Sequence, residues 1–167
     1  MSMPSDVLVR YTEPKDAPYL KKWLMQEDAR DAFPMHDEVE VDDAVVRWIS
    51  FCRFRCSLTI VKEGIPIGIA TLYLQPYLRL VHQCEFGIIL DPEARGQGLG
   101  TILLNHLLHL AKEKFQIELI HLQVYDKNPA AIRFYQRFGF KTFGEQVGWI
   151  KEGDGRYGGR LFMERML

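Results

Sequence analysis

Cys84-Glu85-Phe86-Gly87-Ile88-Ile89-Leu90-Asp91-Pro92-Glu93-Ala94-Arg95-Gly96-Gln97-Gly98-Leu99-Gly100-Thr101 runs from an apolar strand, through a stop and a glycine-rich turn, into a helix. The strand ends at Asp91-Pro92, because proline lacks the amide donor and restricts the residue before it. A glycine-rich turn at a helix N-terminus is an anion site: bare amides and the positive dipole end face the ligand, and glycine lets a phosphate approach closely. Two phosphate-binding patterns fail here. A P-loop needs Lys-Ser/Thr after its last glycine, and Gly100-Thr101-Ile102 offers none. A dinucleotide fingerprint is Gly-x-Gly-x-x-Gly near the chain start, whereas Gly96, Gly98 and Gly100 are spaced Gly-x-Gly-x-Gly in mid-chain.

Downstream, Ile102 to Phe115 predicts an amphipathic helix with Leu103, Leu107, Leu110 and Ala111 inward and Asn105, His109, Lys112 and Glu113 outward. Glu118 to Val124 reads as a buried strand, Pro129 to Phe138 as a short helix stopped by Gly139, and the tail from Lys141 as two strands joined through Gly153-Asp154-Gly155. Upstream, Val7 to Thr12 reads as a strand, and Tyr19, Leu20, Trp23 and Leu24 as a helix ending near Gln26. An acidic loop or broken helix containing Pro34 follows, then a helix from Asp42 burying Val45, Val46, Ile49 and Phe51 or Cys52. Ser57 to Lys62, Glu63-Gly64 and Ile65 to Leu74 make a hairpin.

With 167 residues, 47% hydrophobic and 26% charged, the chain fits one α/β domain over residues 1–167. No stretch of eighteen apolar residues suits a membrane span, and Met1 to Val9 lacks the order of a secretory signal, so a soluble, cytoplasmic protein is expected. A net charge of −1 argues against nucleic acid as partner. Cys52, Cys56 and Cys84 and the five histidines show no ligand spacing, so no metal is expected. The charge is uneven. Glu27 to Asp43 holds eight acids and one base, −7, and the other 20 bases and 14 acids leave +6 elsewhere.

Arg95, Gly98 and Gly100 meet the pattern Gln/Arg-x-x-Gly-x-Gly/Ala, and Val124, Asn128, Ala131, Tyr135 and Gly139-Phe140 form a second signature at the expected distance. On these two motifs the sequence resembles the GCN5-related N-acetyltransferase family over essentially its whole length. The strand Cys84 to Pro92 and the Gly153-to-Tyr157 hairpin resemble the branch of ribosomal-protein-alanine and spermidine acetyltransferases. The resemblance implies an α/β (α+β) domain with a central mixed, mostly antiparallel, twisted sheet of about seven strands flanked by about four helices. It implies acetyl-coenzyme A as cosubstrate and a primary amine as acceptor, on a small molecule or a peptide. Cofactor contacts carried over are Ile88, Ile89 and Leu90 on a splayed strand, Arg95, Gly96, Gln97, Gly98, Leu99, Gly100 and Thr101 in the loop, and Asn128 and Arg133.

The resemblance makes Tyr135 the acid that serves the leaving thiolate. Helical tyrosines are usually core, but Phe134 and Phe138 already supply apolar surface here. Glu85 is a carboxylate within an apolar strand; it is either the acceptor of the amine proton or a cross-strand partner for a base. Asn128 has two competing uses, helix cap and pantetheine contact. The acidic stretch is either a solvated face or an acceptor wall for a cationic amine, to which Trp149 and Tyr157 could add aromatic surface. An acyl-CoA sensor without turnover, or an aminoglycoside or aminosugar acetyltransferase, would carry the same turn. Edge strands in the tail leave a homodimer open.

Overall fold

A computed structural model describes residues 3–167; Met1 and Ser2, part of the stretch read for a secretory signal, lie outside it. The elements run β1 (Val7–Tyr11), α1 (Ala17–Leu24), α2 (Glu38–Ser50), β2 (Ser57–Lys62), β3 (Ile65–Leu74), β4 (Gln83–Leu90), α3 (Leu99–Glu113), β5 (Leu119–Tyr125), α4 (Pro129–Arg137), β6 (Lys141–Lys151) and β7 (Tyr157–Met166). One seven-stranded sheet has the order β1-β2-β3-β4-β5-β7-β6. Every neighbouring pair is antiparallel except β4 and β5, which α3 connects as a parallel crossover.

Strand alternation sends side chains to two cores. On one face α3 lays Leu103, Leu104, Leu107 and Ala111 against Leu58, Ile60, Ala70, Leu72, Cys84, Phe86, Ile120 and Leu122, with α4 packed beside it. On the other face Leu20, Trp23 and Leu24 of α1 and Val41, Val45 and Trp48 of α2 cover Ile69 and Ile89. The α1/α2 layer ends there. Beyond it, on that face, Gln123 of β5 and Gln146 of β6 are exposed.

A buried polar cluster fastens this layer to the sheet. Arg10 donates two 2.8 Å hydrogen bonds to Asp16, which also accepts from Thr59 Oγ1 at 2.9 Å. Trp48 Nε1 donates to Thr71 Oγ1 at 2.6 Å. Burial alone would push the Asp16 carboxyl up, but the hydrogen bonds from Arg10, the Glu13 amide and Thr59 hold it below its ordinary value.

Two helix readings need correction. The second helix starts at Glu38, not Asp42, because Asp37 caps it by accepting from the Glu40 amide at 2.9 Å. Its buried stripe is Val41, Val45 and Trp48, while Val46 is 70% exposed. The Trp48–Thr71 hydrogen bond fixes the helix rotation and turns Val46 to solvent. The helix after the glycine turn starts at Leu99 rather than Ile102, so Leu99, Gly100 and Thr101 form its first turn.

Candidate active site

Gly96 and Gly98 hold φ of 73° and 77°, where a side chain is strained, and a Cβ at either would meet nothing within 4 Å. Their demand is conformational, and the space beside them is open. Gly98 stands at the N-cap of α3 with no side-chain cap, and the helix bonds begin with the Ile102 amide on Gly98 O at 3.3 Å. The amides of Leu99, Gly100 and Thr101 therefore lack an acceptor among the described residues, the condition for holding an anion. A Cβ on Gly100 would come within 3.2 Å of Leu90 Cδ1, so this glycine lets the helix start crowd β4. Gln97 braces the loop, its Nε2 donating to Glu93 O at 3.1 Å and its Oε1 accepting from Lys62 Nζ at 3.2 Å.

The strand expected to splay does so. β4 and β5 pair only at Gln83↔Leu119, Cys84↔Ile120 and Glu85↔His121. Beyond Glu85 the strands part. The Asp91 amide donates to Ile67 O at 2.8 Å, so Ile89 and Gly87, two and four residues back, also spend their backbone groups on β3. Phe86, Ile88 and Leu90 turn theirs into the opening. Of the three expected contacts, Ile88 and Leu90 thus have backbone groups facing the gap, whereas those of Ile89 are paired with β3 and its side chain is buried under α1 and α2. Arg95 reaches into the same opening and donates to Leu90 O at 3.3 Å, while its other nitrogen pairs with Asp28 of the acidic segment.

Tyr135 sits on α4 with its ring edge-on to Phe86 and Phe140, both at 5.9 Å. Phe86 is the first residue past the last β4–β5 pair, so the phenol lies over the apex of the opening on the α3/α4 face. Burial pushes its pKa up, which keeps the hydroxyl protonated. Asn128 caps α4, accepting from the Ala131 amide at 3.2 Å; its side-chain NH2 has no partner among the described residues. Arg133 is exposed on the same helix and makes no ion pair among the described residues.

Glu85 lies at the same apex on the opposite face. Its register neighbours are Tyr73 and His121. Its partner is Gln123, whose Nε2 donates to Glu85 Oε2 at 3.1 Å, so the expected cross-strand base is an amide instead. The Tyr73 hydroxyl lies 2.6 Å from where a Gly87 Cβ would stand, and burial, then the charge of Glu85, push that phenol's pKa up. His121 is bonded through Nε2 to Gln83 Oε1 at 2.7 Å, and burial lowers its pKa against the pull of Glu85 and Glu164.

An open hollow of about 440 Å³ lies between the acidic turn and the β6–β7 hairpin tip, lined by Glu27, Arg30, Asp31, Lys127, Glu152 and Arg156 among others. Lys127 pairs with Glu152 and Arg156 with Asp154, whereas Glu27 and Asp31 have no ion pair among the described residues. Burial, then the charges of Glu152, Asp31 and Asp126, push the Tyr125 phenol up to about 12. Trp149 packs on Tyr125 with ring centroids 4.8 Å apart, while Tyr157 is 60% exposed beside Lys151. Among the described residues no three His, Cys, Asp or Glu side chains converge as a metal site, and no helix is long and apolar enough to cross a membrane.

Sequence reading missed Tyr73, Gln123 and Arg160. Gly87 carried a usable signal, since glycine inside an apolar strand marks a close approach.

Residues 17–140 match the Acetyltransferase (GNAT) family. In sequence, the spermine/spermidine N(1)-acetyltransferase of Bacillus subtilis is 39% identical over 56 residues, covering 34% of this chain and 37% of that protein. The chain spans less than two thirds of the length of the relatives it matches in sequence. The ribosomal-protein-alanine N-acetyltransferase of Brucella melitensis superposes with a TM-score of 0.77 at 23% identity, over 96% of this chain and 99% of that one. The phosphinothricin acetyltransferase of Sinorhizobium meliloti, solved with acetyl-CoA, gives 0.80 at 21% identity over 97% and 89%. These likenesses are of fold.

Proposed function

This chain belongs to the Acetyltransferase (GNAT) family, and we propose that it transfers an acetyl group from acetyl-CoA to a primary amine by direct attack. The observation that carries the reading is the opening between β4 and β5, with Tyr135 over its apex on one face and Glu85 on the other. Donor and acceptor can therefore approach from opposite sides and meet at the gap.

The unpaired amides of Leu99, Gly100 and Thr101, with the open space at Gly96 and Gly98, fit a pyrophosphate. The edge of Phe86, Ile88 and Leu90 offers donors and acceptors to a pantetheine arm and a donor to the thioester oxygen. Acetyl-CoA brings the activated acyl group. Glu85 accepts the ammonium proton, which frees the nitrogen lone pair to bond to the acetyl carbon. An ordinary amine has a pKa of about 10.4, so an acceptor is needed near neutrality. Tyr135, kept protonated by its burial, supplies the hydrogen to the sulfur as the C–S bond breaks.

For the acceptor, Glu27 and Asp31 at the hollow favour a cationic amine, a polyamine or a basic peptide terminus. The Bacillus relative is named for spermine and spermidine, and the Brucella one for a ribosomal-protein alanine. The test is thiol release from acetyl-CoA with a panel of spermidine, peptide N-termini and an aminoglycoside. Turnover with spermidine or a basic peptide, weakened about fivefold in KM by Glu27→Gln/Asp31→Asn, is expected, from roughly 1 kcal/mol of charge attraction. Tight acetyl-CoA binding with no thiol release across the panel would make the protein a sensor.

A further inference from the structure

Resting on the reading of Glu85 as proton acceptor, we infer that Gln123 and Arg160 form a positioning relay that fixes the Glu85 carboxylate at the mouth of the β4–β5 gap. Gln123 follows the last paired residue of β5 by two, so its side chain spans the opening where main-chain pairing has ceased. Its amide has one orientation. A guanidinium can only donate, and Arg160 Nη1 donates to Gln123 Oε1, which leaves Nε2 to face Glu85 Oε2 at 3.1 Å.

Arg160 is itself immobilised from β6 and β7. Its Nε donates to Gln146 Oε1 at 2.9 Å, and the guanidinium lies over the rings of Trp149 and Phe162 at 4.5 and 4.8 Å. The chain of contacts therefore runs Gln146–Arg160–Gln123–Glu85 across four strands. One carboxylate oxygen of Glu85 is tied, and the other has no partner among the described residues.

The neutral amide in the middle has a chemical purpose. A guanidinium in direct contact makes a carboxylate a poorer proton acceptor, whereas a carboxamide orients it without that ion pair. A glutamate left untethered would spread over its rotamers, and misplacement by an ångström costs on the order of a hundredfold in rate.

The experiment is a double-mutant cycle on kcat, with KM for acetyl-CoA and melting temperature read alongside. Gln123→Met keeps the length and removes both hydrogen bonds; it should lower kcat about tenfold, leaving acetyl-CoA KM and melting temperature unchanged, because Gln123 is exposed and remote from the glycine loop. In a Glu85→Gln background the same substitution should cost nothing further. Arg160→Lys, which still donates to the amide oxygen, should keep most of the rate that Arg160→Met loses. A Gln123→Met loss of equal size with and without Glu85 overturns the relay, as does a wild-type kcat in Gln123→Met when Glu85→Gln is impaired. A wild-type kcat in Glu85→Gln overturns the proton-acceptor reading itself.

Discussion

At the scale of single residues, the proposed chemistry divides between two side chains that neighbour one apex and never share a face. Tyr135 is enclosed by Phe86, Phe134 and Phe140, and that enclosure raises its pKa while leaving its hydroxyl without a partner among the described residues. Tyr135→Phe preserves the packing and removes only the hydrogen. It should lower kcat by about 10² or more, with KM for acetyl-CoA unchanged, measured as thiol release under saturating acceptor. A kcat equal to wild type would remove the phenol from the mechanism. Tyr135 was legible in the sequence as part of a motif, because a motif is local. The partner of Glu85 was not, because Gln123 lies 38 positions away and meets it only through the β4–β5 register.

Elements show the same division. The glycine turn declares itself because positive φ is a property of the residue and its immediate chain. Gly98→Ala should cost about 1 kcal/mol in stability and raise KM for acetyl-CoA severalfold, since the left-handed conformation is strained for alanine although no atom stands in the way. Denaturant unfolding and a titration with coenzyme A would measure the two effects separately. Helix α2 is the contrary case. Its charged start, Glu38 to Val41, reads as part of the acidic loop or broken helix, yet Asp37 caps it and the acids suit the positive end of the helix dipole. Its rotation was beyond periodicity, because Val41, Val45, Val46 and Ile49 permit more than one stripe and the choice falls to Trp48 reaching Thr71.

For the molecule as a whole, the site depends on how the α1/α2 layer is pinned over β3 and β4, and Asp16 is the pin. Its folded pKa is lowered, so its stabilisation is complete above the unfolded carboxyl value of about 3.9 and is lost as pH falls through the folded value. Asp16→Asn should lose roughly 3 kcal/mol at pH 7 by leaving Arg10 without its anion, and the difference from wild type should shrink when unfolding is measured below pH 3. An undiminished difference at low pH would mean that packing, rather than charge, is what the aspartate supplies. The sequence alone determined the order of the elements, the anion-binding turn and the family, because periodicity, proline stops and glycine conformations act within a few residues. Only the tertiary structure decided that β4 and β5 pair for three residues and then part, that Tyr135 and Glu85 flank the gap from opposite faces, and that an amide held by Arg160 tethers the carboxylate. Those facts arise from strand register and two-sided packing between segments far apart in the chain, which no local pattern encodes.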